Sequence, residues 1–130
     1  MNFGLSKSER LCSRTLIERL YAEGHRLMVF PYSVHWQLQP FENIPCQVLI
    51  ITSKRKFKHA VDRNRVKRLT RECYRLRKPE FYEFLNTHDI SITLSLNYIH
   101  TDLLDYAHLE PKFDKLMSAL QHDIEEKLAQ

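Results

Sequence analysis

The strongest constraint on the fold of this chain is a dense run of positive charge between residues 54 and 78. Of the 20 Lys and Arg residues, 12 lie there, and only Asp62 and Glu72 oppose them. A segment with this charge cannot be buried on all sides, so it must lie at the surface with at most one face against a core. Clustered like charges repel one another, and a polyanion relieves that repulsion. We therefore expect a nucleic acid as the partner.

The same segment has the period of an amphipathic helix. An apolar stripe is predicted from steps of three and four residues at Val66, Leu69, Cys73 and Leu76. The opposite side is predicted to present Asn64, Lys67, Arg68, Arg71, Arg75 and Lys78. Pro79 predicts the end of the helix, because the residue before a proline disfavours the helical conformation. A merely solvated face would alternate in sign and form ion pairs, whereas this face has almost no acidic partners.

Size and composition favour one domain over residues 1–130, with residues 1–12 and 123–130 expected to be loosely ordered. No apolar run approaches the roughly 20 residues needed to span a bilayer, and residues 1–14 are too polar for a signal peptide. Cys12, Cys46 and Cys73 are far apart, which is typical of reduced thiols. We therefore expect a cytoplasmic protein without a membrane partner.

The chain shows no pattern of a protein-based catalytic or metal site. Its histidines are scattered without HxxxH or HExxH spacing. Gly4 and Gly24 are the only glycines, which excludes a P-loop and the glycine-rich dinucleotide motif. We predict no catalytic residues and no metal ligands in the protein.

Alternation and capping signals predict the order helix-strand-strand-strand-helix-strand-helix. The predicted elements are a helix at 13–23, strands at 26–30, 32–39 and 46–52, a turn at 41–45, a basic loop at 53–59, a helix at 60–77, a short amphipathic piece at 81–85, a strand at 89–96 and a final helix from Pro111. Gly24 is predicted to end the first helix in a left-handed conformation. The expected fold is an α+β sandwich with helices on one mixed sheet.

The basic helix carries a recognisable motif. The run Ala60-Val61-Asp62-Arg63-Asn64-Arg65-Val66-Lys67-Arg68, followed by Arg71-Glu72, resembles the signature of the protein subunit of bacterial ribonuclease P. In that signature, Ala-Val and one variable residue precede Arg-Asn-Arg, an apolar residue and Lys-Arg, with Arg-Glu shortly after. The resemblance covers roughly residues 10–122. Many members carry Gly-Asn where this chain has Lys58-His59, so the loop here holds additional charge.

The resemblance implies a left-handed β-α-β crossover, an exception to the usual hand. It also implies that a catalytic RNA subunit removes the 5′ leader of precursor tRNA with Mg²⁺, while the protein binds that RNA and the leader. Together with the charge of the loop, it predicts an RNA-binding set of Lys54, Arg55, Lys56, Lys58, Arg63, Asn64, Arg65, Lys67, Arg68, Arg71 and Arg75.

The resemblance further implies a leader-binding groove between the sheet and the first helix. Its expected lining is Ile17, Tyr21, Tyr32 and Trp36. Aromatic rings beside an extended single strand permit stacking with little dependence on sequence. Alternating aromatics on a strand are equally typical of a hydrophobic core, and the sequence leaves that alternative open.

Two other functional classes share the charge pattern. A ribosomal or assembly RNA-binding protein would need the same basic surface but no role in processing. A DNA-binding module is disfavoured, because the chain lacks helix-turn-helix spacing and a dimerisation element.

Overall fold

A computed structural model describes residues 5–40 and 43–130 of the chain. The helices and strands follow the predicted order, after a short 3-10 helix at Lys7–Glu9. Their bounds are α1 (Arg14–Glu23), β1 (His25–Val29), β2 (Tyr32–Gln39), β3 (Cys46–Thr52), α2 (Ala60–Thr87), β4 (Ser91–Tyr98) and α3 (Tyr106–Leu128). The predicted turn at 41–45 lies partly outside the described residues.

The four strands form one mixed sheet in the order β1-β2-β4-β3. β2 pairs antiparallel with both β1 and β4, whereas β3 runs parallel to β4. α2 connects the two parallel strands, as a crossover requires. The predicted α+β fold with a mixed sheet is therefore confirmed, and the left hand of the crossover stays a prediction.

The helices lie on both faces of the sheet. α2 and α3 cover the face that holds Tyr32, since the Tyr32 ring meets that of Phe113 in α3 edge-on with centroids 5.6 Å apart. α1 lies on the other face, where the Tyr21 ring is 4.7 Å from that of His35. Because side chains alternate along a strand, β2 presents its apolar residues to α2 and α3 and its polar residues to α1.

Tyr32 and Trp36 are core residues, which corrects their expected place in the leader groove. Both are 0% exposed. The Tyr32 hydroxyl is 2.6 Å from the Thr70 hydroxyl in α2, and the Trp36 indole N–H donates to the Asp123 carboxylate in α3 at 2.8 Å. Their polar atoms are satisfied inside the protein, and they lie on the side of the sheet away from α1.

The basic helix continues past Pro79 to Thr87, so the predicted helix end was wrong. The separate piece predicted at 81–85 is the last part of the same helix. Phe81 and Leu85 are both 0% exposed, and their burial favours continuation of the helix. Pro79 is itself exposed, so the helix accommodates its missing N–H at the surface rather than in the core.

The buried stripe of α2 is rotated relative to the prediction. Val66 and Cys73 are buried as expected, but Leu76 is 50% exposed and Leu69 is only half-buried. Thr70 and Tyr74 complete the stripe instead. This orientation lets Phe81 and Leu85 share the same side of the helix. The C-terminal half of α2, which the sequence reading treated separately, therefore sets the rotation of the whole helix.

Three local predictions are also corrected. Gly24 has φ −70°, not a left-handed φ, and its small size matters because a Cβ there would lie 2.9 Å from the Trp36 carbonyl oxygen. Asp89 adopts a left-handed φ of 53°, so β4 starts two residues later than expected. α3 begins at Tyr106 because the Asp105 carboxylate accepts a hydrogen bond from the His108 N–H at 2.9 Å.

The described parts of the two chain ends contribute side chains to the core, and the loose order expected of residues 1–12 and 123–130 stays a prediction. Leu11 is 2% exposed and Ile124 is 0% exposed. Glu9 fastens the N-terminal segment to α2, since its carboxylate accepts from the Tyr82 hydroxyl at 2.6 Å and lies 3.0 Å from the Lys78 ammonium. Lys78, predicted on the nucleic-acid side of the helix, is thus held in an internal ion pair.

Glu9 should make stability depend on acid. Burial alone would raise its pKa, but hydrogen bonds from Tyr82, the Ser6 N–H and Lys78 prevail and lower the pKa from the ordinary 4.5 to about 2. A carboxyl with a lowered pKa stabilises the fold above its unfolded value, and this contribution disappears as the pH falls from 4.5 towards 2. We expect Glu9→Gln to lower the free energy of unfolding by about 1–3 kcal/mol at neutral pH.

Urea titrations at several pH values would measure this effect. The difference in the free energy of unfolding between the wild type and Glu9→Gln should become smaller below pH 4.5. Glu23→Gln, which changes an exposed carboxyl at the end of α1, is the matched control and should give little gap at any pH. If the difference in the free energy of unfolding between the wild type and Glu9→Gln stayed constant as the pH fell, the ionised Glu9 carboxylate would not be the source of the stabilisation.

Candidate nucleic-acid interface

The N-terminal half of α2 presents an open, positively charged hollow, here termed the basic surface. Its lining residues are Val61, Asn64, Arg65, Lys67, Arg68 and Arg71. Val61 is 77% exposed, although it is apolar. Val66, Thr70 and Cys73 are buried on the opposite side of the helix. The core contacts of α2 therefore turn the predicted basic residues outwards.

Most cations of the basic surface have no acidic partner. Within the described residues, no salt bridge involves Arg65, Arg68 or Arg71. Arg77 differs, because its guanidinium lies 2.6 Å from the Asp114 carboxylate and joins α2 to α3. The charges that remain available are those of the motif, and guanidinium groups suit bidentate contacts with phosphate oxygens.

The basic loop between β3 and α2 is held in place by one of its own residues and by one residue of α2. Phe57 is buried against the core, and the Arg63 guanidinium donates to the carbonyl oxygens of Phe57 and Lys58 at 2.8 and 3.0 Å. Lys54, Arg55, Lys56 and Lys58 are exposed on this loop. The structure thus gives Arg63, predicted to bind RNA, a role in fixing the loop beside the start of α2.

Arg75 is also engaged within the protein. Its Nε atom donates to the Glu72 carboxylate at 3.0 Å, and a second hydrogen bond joins the same two side chains. The hydrogen bond from Arg75 lowers the pKa of Glu72. The pair lies one turn beyond Arg71, so it marks the end of the unpaired charge along the helix.

A second candidate surface lies between α1 and the sheet and is here termed the α1 groove. Tyr21 is 40% exposed, and its hydroxyl is 2.5 Å from that of Ser95 in β4. Its ring also lies against the His35 ring. Ile17 is half-buried one helical turn earlier. Of the four predicted groove residues, the structure therefore brings Ile17 and Tyr21 to this face.

His35 is a candidate groove residue that the sequence reading missed. It is opposite Arg26 in the strand pairing, and burial together with the Arg26 charge lowers its pKa, which favours the neutral imidazole. Among the described side chains, His35 Nδ1 and Gln37 Oε1 are buried without a hydrogen-bond partner. Such atoms are uncommon and indicate a place where a ligand or water can bind. The available signal was the polar half of the alternation in β2, which we had assigned no role.

The two surfaces are adjacent. A hollow between the N-terminal segment, the edge of β3 and α2 is lined by Leu5, Arg10, Leu11, Cys12, Val48, Leu49, Ile50, Lys67 and Arg71. Leu49 is paired with Ser95, so its side chain lies on the face of the sheet that carries α1. The hollow therefore extends from the basic residues of α2 to a residue on the face of the sheet that carries α1.

The described part of the chain offers neither a grouping of metal ligands nor a membrane-spanning helix. Over residues 5–40 and 43–130, no three His, Cys, Asp or Glu side chains are grouped so that they could hold a metal ion. None of the helices in this described part combines the length and apolar character required to cross a membrane.

Comparisons with known proteins show related sequences and folds. The family model described as Ribonuclease P matches residues 5–121. The ribonuclease P protein component of Porphyromonas gingivalis is 37% identical over 114 residues, which covers 87% of this chain and 83% of that protein. The corresponding component of Chlorobaculum tepidum is 37% identical over 78 residues, which covers 57% of this chain and 51% of that protein.

Solved structures show the same fold at lower sequence identity. The Staphylococcus aureus RNase P protein aligns with a TM-score of 0.67 and 19% identity, over 88% of this chain and 96% of that one. The RNase P protein from Thermotoga maritima aligns with a TM-score of 0.60 and 19% identity, over 84% and 94% of the two chains. At this identity the structures support the architecture, and the evidence for kinship comes from the sequence comparisons.

Proposed function

The chain belongs to the ribonuclease P family as a protein component, and from this membership we propose that it binds the catalytic RNA subunit of that enzyme and the 5′ leader of precursor tRNA. The basic surface is the proposed site for the RNA subunit. The α1 groove is the proposed site for the leader. The protein would thereby assist removal of the leader during tRNA 5′ maturation in the cytoplasm.

One observation carries most of this proposal: three arginines of the family motif lie on the exposed side of α2 and have no salt bridge among the described residues. Arg65, Arg68 and Arg71 point away from the core and form no salt bridge within the described residues. In the free protein these positive charges repel one another, and bound phosphate groups would remove that repulsion. The exposed lysines of the β3–α2 loop extend the same surface.

The α1 groove supports the leader assignment by its chemistry. Tyr21 and His35 provide two rings beside each other, and a neutral imidazole can stack on a base or hydrogen-bond to its edge. Stacking on aromatic side chains tolerates many base sequences, as binding of varied leaders requires. The groove also adjoins Lys67 and Arg71, which can hold the phosphates of the same strand.

Chemistry on the phosphodiester is assigned to the RNA subunit in this proposal. Mg²⁺, bound through that RNA, would supply the charge stabilisation that phosphoryl transfer needs. The protein residues would bring the strand into place and neutralise phosphates close to the cleavage site, and none of them is assigned a proton transfer. Reconstitution with the RNA subunit tests this role, because cleavage at low Mg²⁺ should rise when the wild-type protein is added.

The result of that reconstitution separates the proposal from its main alternative. A ribosomal or assembly RNA-binding protein would bind RNA through the same charge but would leave leader cleavage unchanged. Ribosomal RNA and duplex DNA serve as competitor controls, and neither should displace the RNA subunit at equal concentration.

Tyr21→Ala should reduce the preference of the reconstituted enzyme for precursor over mature tRNA. Only the precursor has a single strand to place in the groove, and loss of one base stack costs about 1–3 kcal/mol. Competition binding with the two tRNAs measures the preference directly. Affinity for the RNA subunit alone should stay unchanged, because Tyr21 lies on the other face of the sheet from the buried side of α2.

Tyr21→Phe is the matched control, since it keeps the ring and removes only the hydroxyl beside Ser95. It should retain most of the preference for precursor tRNA. If the wild-type protein strengthened the binding of precursor and mature tRNA equally, the protein would not act through the leader. The assignment of the α1 groove to the leader would then be wrong.

A further inference from the structure

A third group of side chains lies at the end of the sheet, outside the basic surface and the α1 groove. Phe30, in the turn between β1 and β2, is 51% exposed. Its ring meets the His100 ring with centroids 4.8 Å apart and planes inclined by 60°. The Lys112 ammonium lies 5.8 Å from the centroid of the Phe30 ring. These three residues are here termed the turn cluster.

The backbone holds the turn cluster against the basic loop. The Ile99 N–H donates to the Pro31 carbonyl oxygen at 2.8 Å, which ties the turn to the end of β4. The Lys56 ammonium donates to the carbonyl oxygen of Ile99. The pairing of Tyr98 with both Tyr32 and Thr52 brings the same ends of β2, β4 and β3 together. The turn cluster is therefore continuous with the basic loop that precedes α2.

The exposure of Phe30 is notable because its aromatic neighbours are buried. Tyr32, Tyr98 and Phe113 have at most 2% of their surface exposed. Phe30 is exposed instead, with the Lys112 ammonium over its ring and the Lys56 ammonium at the Ile99 carbonyl oxygen, next to the His100 that its ring contacts. The Asp102 carboxylate lies 4.0 Å from His100 Nε2, and the Asp102 side chain is 82% exposed. The contacts of the turn cluster and of the strand end beside it therefore include two ammonium groups and one carboxylate.

This arrangement matches the chemistry of an unpaired nucleotide. A base can stack on an exposed aromatic ring, and an ammonium group beside that ring can pair with the phosphate of the same or the next nucleotide. Apolar exposure alone would suit many partners, but the Lys112 ammonium over the ring and the Lys56 ammonium at the end of β4 favour a polyanion. The continuity with the basic loop places the ring on the path of an RNA that already contacts α2.

We propose that the turn cluster is a subsite for one unpaired nucleotide of RNA, with the base stacked on Phe30 and its phosphates facing Lys112 and Lys56. The inference rests on the proposed function and extends the RNA contact across the end of the sheet to α3. The nucleotide belongs either to the RNA subunit or to the precursor tRNA, and the chemistry of the site is the same for both.

Three substitutions at position 30 test the stacking. Phe30→Ala and Phe30→Leu should each weaken RNA binding roughly 5- to 100-fold, since neither side chain offers an aromatic face. Phe30→Trp should bind at least as tightly as the wild type. Leu38→Ala, which shortens an apolar side chain of similar exposure (41%) on β2, is the control and should bind as the wild type does. Thermal unfolding of each variant verifies the fold.

Two binding measurements distinguish the source of the nucleotide. Weaker binding of Phe30→Leu to the RNA subunit alone would assign the base to that RNA. An unchanged affinity for the RNA subunit, with weaker binding of precursor but not mature tRNA to the holoenzyme, would assign it to the leader. In the same measurement, Lys112→Ala should lower the slope of log affinity against log salt by about 0.7, the value for one single-strand phosphate contact.

Phe30→Leu with wild-type affinity in both measurements would overturn the subsite. A protein with this result would still satisfy the proposed function if the wild type bound both RNAs and Tyr21→Ala lost the precursor preference. Failure of the wild type to bind the RNA subunit would instead overturn the proposed function itself.

Discussion

Replacing Arg65 and Arg68 together by Ala should weaken binding to the RNA subunit by about 100-fold or more near physiological salt. Each guanidinium lies exposed on the basic surface, and a hydrogen bond to a charged group contributes roughly 1.5–3 kcal/mol. The slope of log affinity against log salt should also fall by about 1.4 to 1.8, for two lost phosphate contacts. Filter binding or calorimetry over a series of salt concentrations measures both quantities.

The fold of this double variant should be intact. Exposed substitutions away from caps and ion pairs usually change the free energy of unfolding by less than about 0.5 kcal/mol. A charge-matched comparison sets Arg68→Ala against Lys115→Ala, which removes one exposed cation from α3 and should leave affinity almost unchanged. Similar losses for the two single variants would show that net charge, and not the position of the motif, governs binding.

Trp36→Ala should destabilise the protein by about 3–5 kcal/mol, the usual cost of removing a fully buried large aromatic side chain. Trp36 is 0% exposed, its ring lies 4.5 Å from that of His25, and its N–H donates to Asp123. The variant would lose the packing and leave the Asp123 carboxylate without this donor. Because small domains are stable by only about 5–15 kcal/mol, many molecules of this variant would be unfolded at moderate temperature.

Chemical denaturation followed by circular dichroism measures the loss. Trp36→Phe, which keeps an aromatic ring but not the N–H, should lie between the wild type and Trp36→Ala. If the Trp36→Ala variant were stable and had lost only its preference for precursor tRNA, the result would show that Trp36 lines the leader groove. Tyr21→Ala gives the opposite expectation, with an intact fold and a weaker preference, so the two variants together assign the two faces of the sheet.

The charged helix and the strand alternation could be predicted because both are local properties. Charge density between residues 54 and 78 requires a surface position whatever the fold, and the period of two in residues 32–39 requires a strand with two unlike faces. The bounds of β2 and β3 agree with the prediction for the same reason. The family motif then identified which exposed charges to test.

The rotation and length of α2 could not be predicted from its own N-terminal half. Pro79 is a strong local signal for a helix end, and Leu69 and Leu76 are strong local signals for a buried stripe. Burial of Phe81 and Leu85 outweighs both, because a large apolar side chain gains about 1.5–3 kcal/mol when it leaves water. The packing of residues further along the chain therefore overrode these local signals.

Local patterns in the chain were enough to predict a basic amphipathic helix, a half-buried aromatic strand and a mixed α+β order. Which face of β2 is core and which lies beneath α1 depends on contacts between distant parts of the chain. Tyr32 is hydrogen-bonded to Thr70, 38 residues further along the chain, and Trp36 is hydrogen-bonded to Asp123, 87 residues further along. The alternation of residues along β2 defines two faces but does not show which face is buried, because that depends on which distant helices pack against each face.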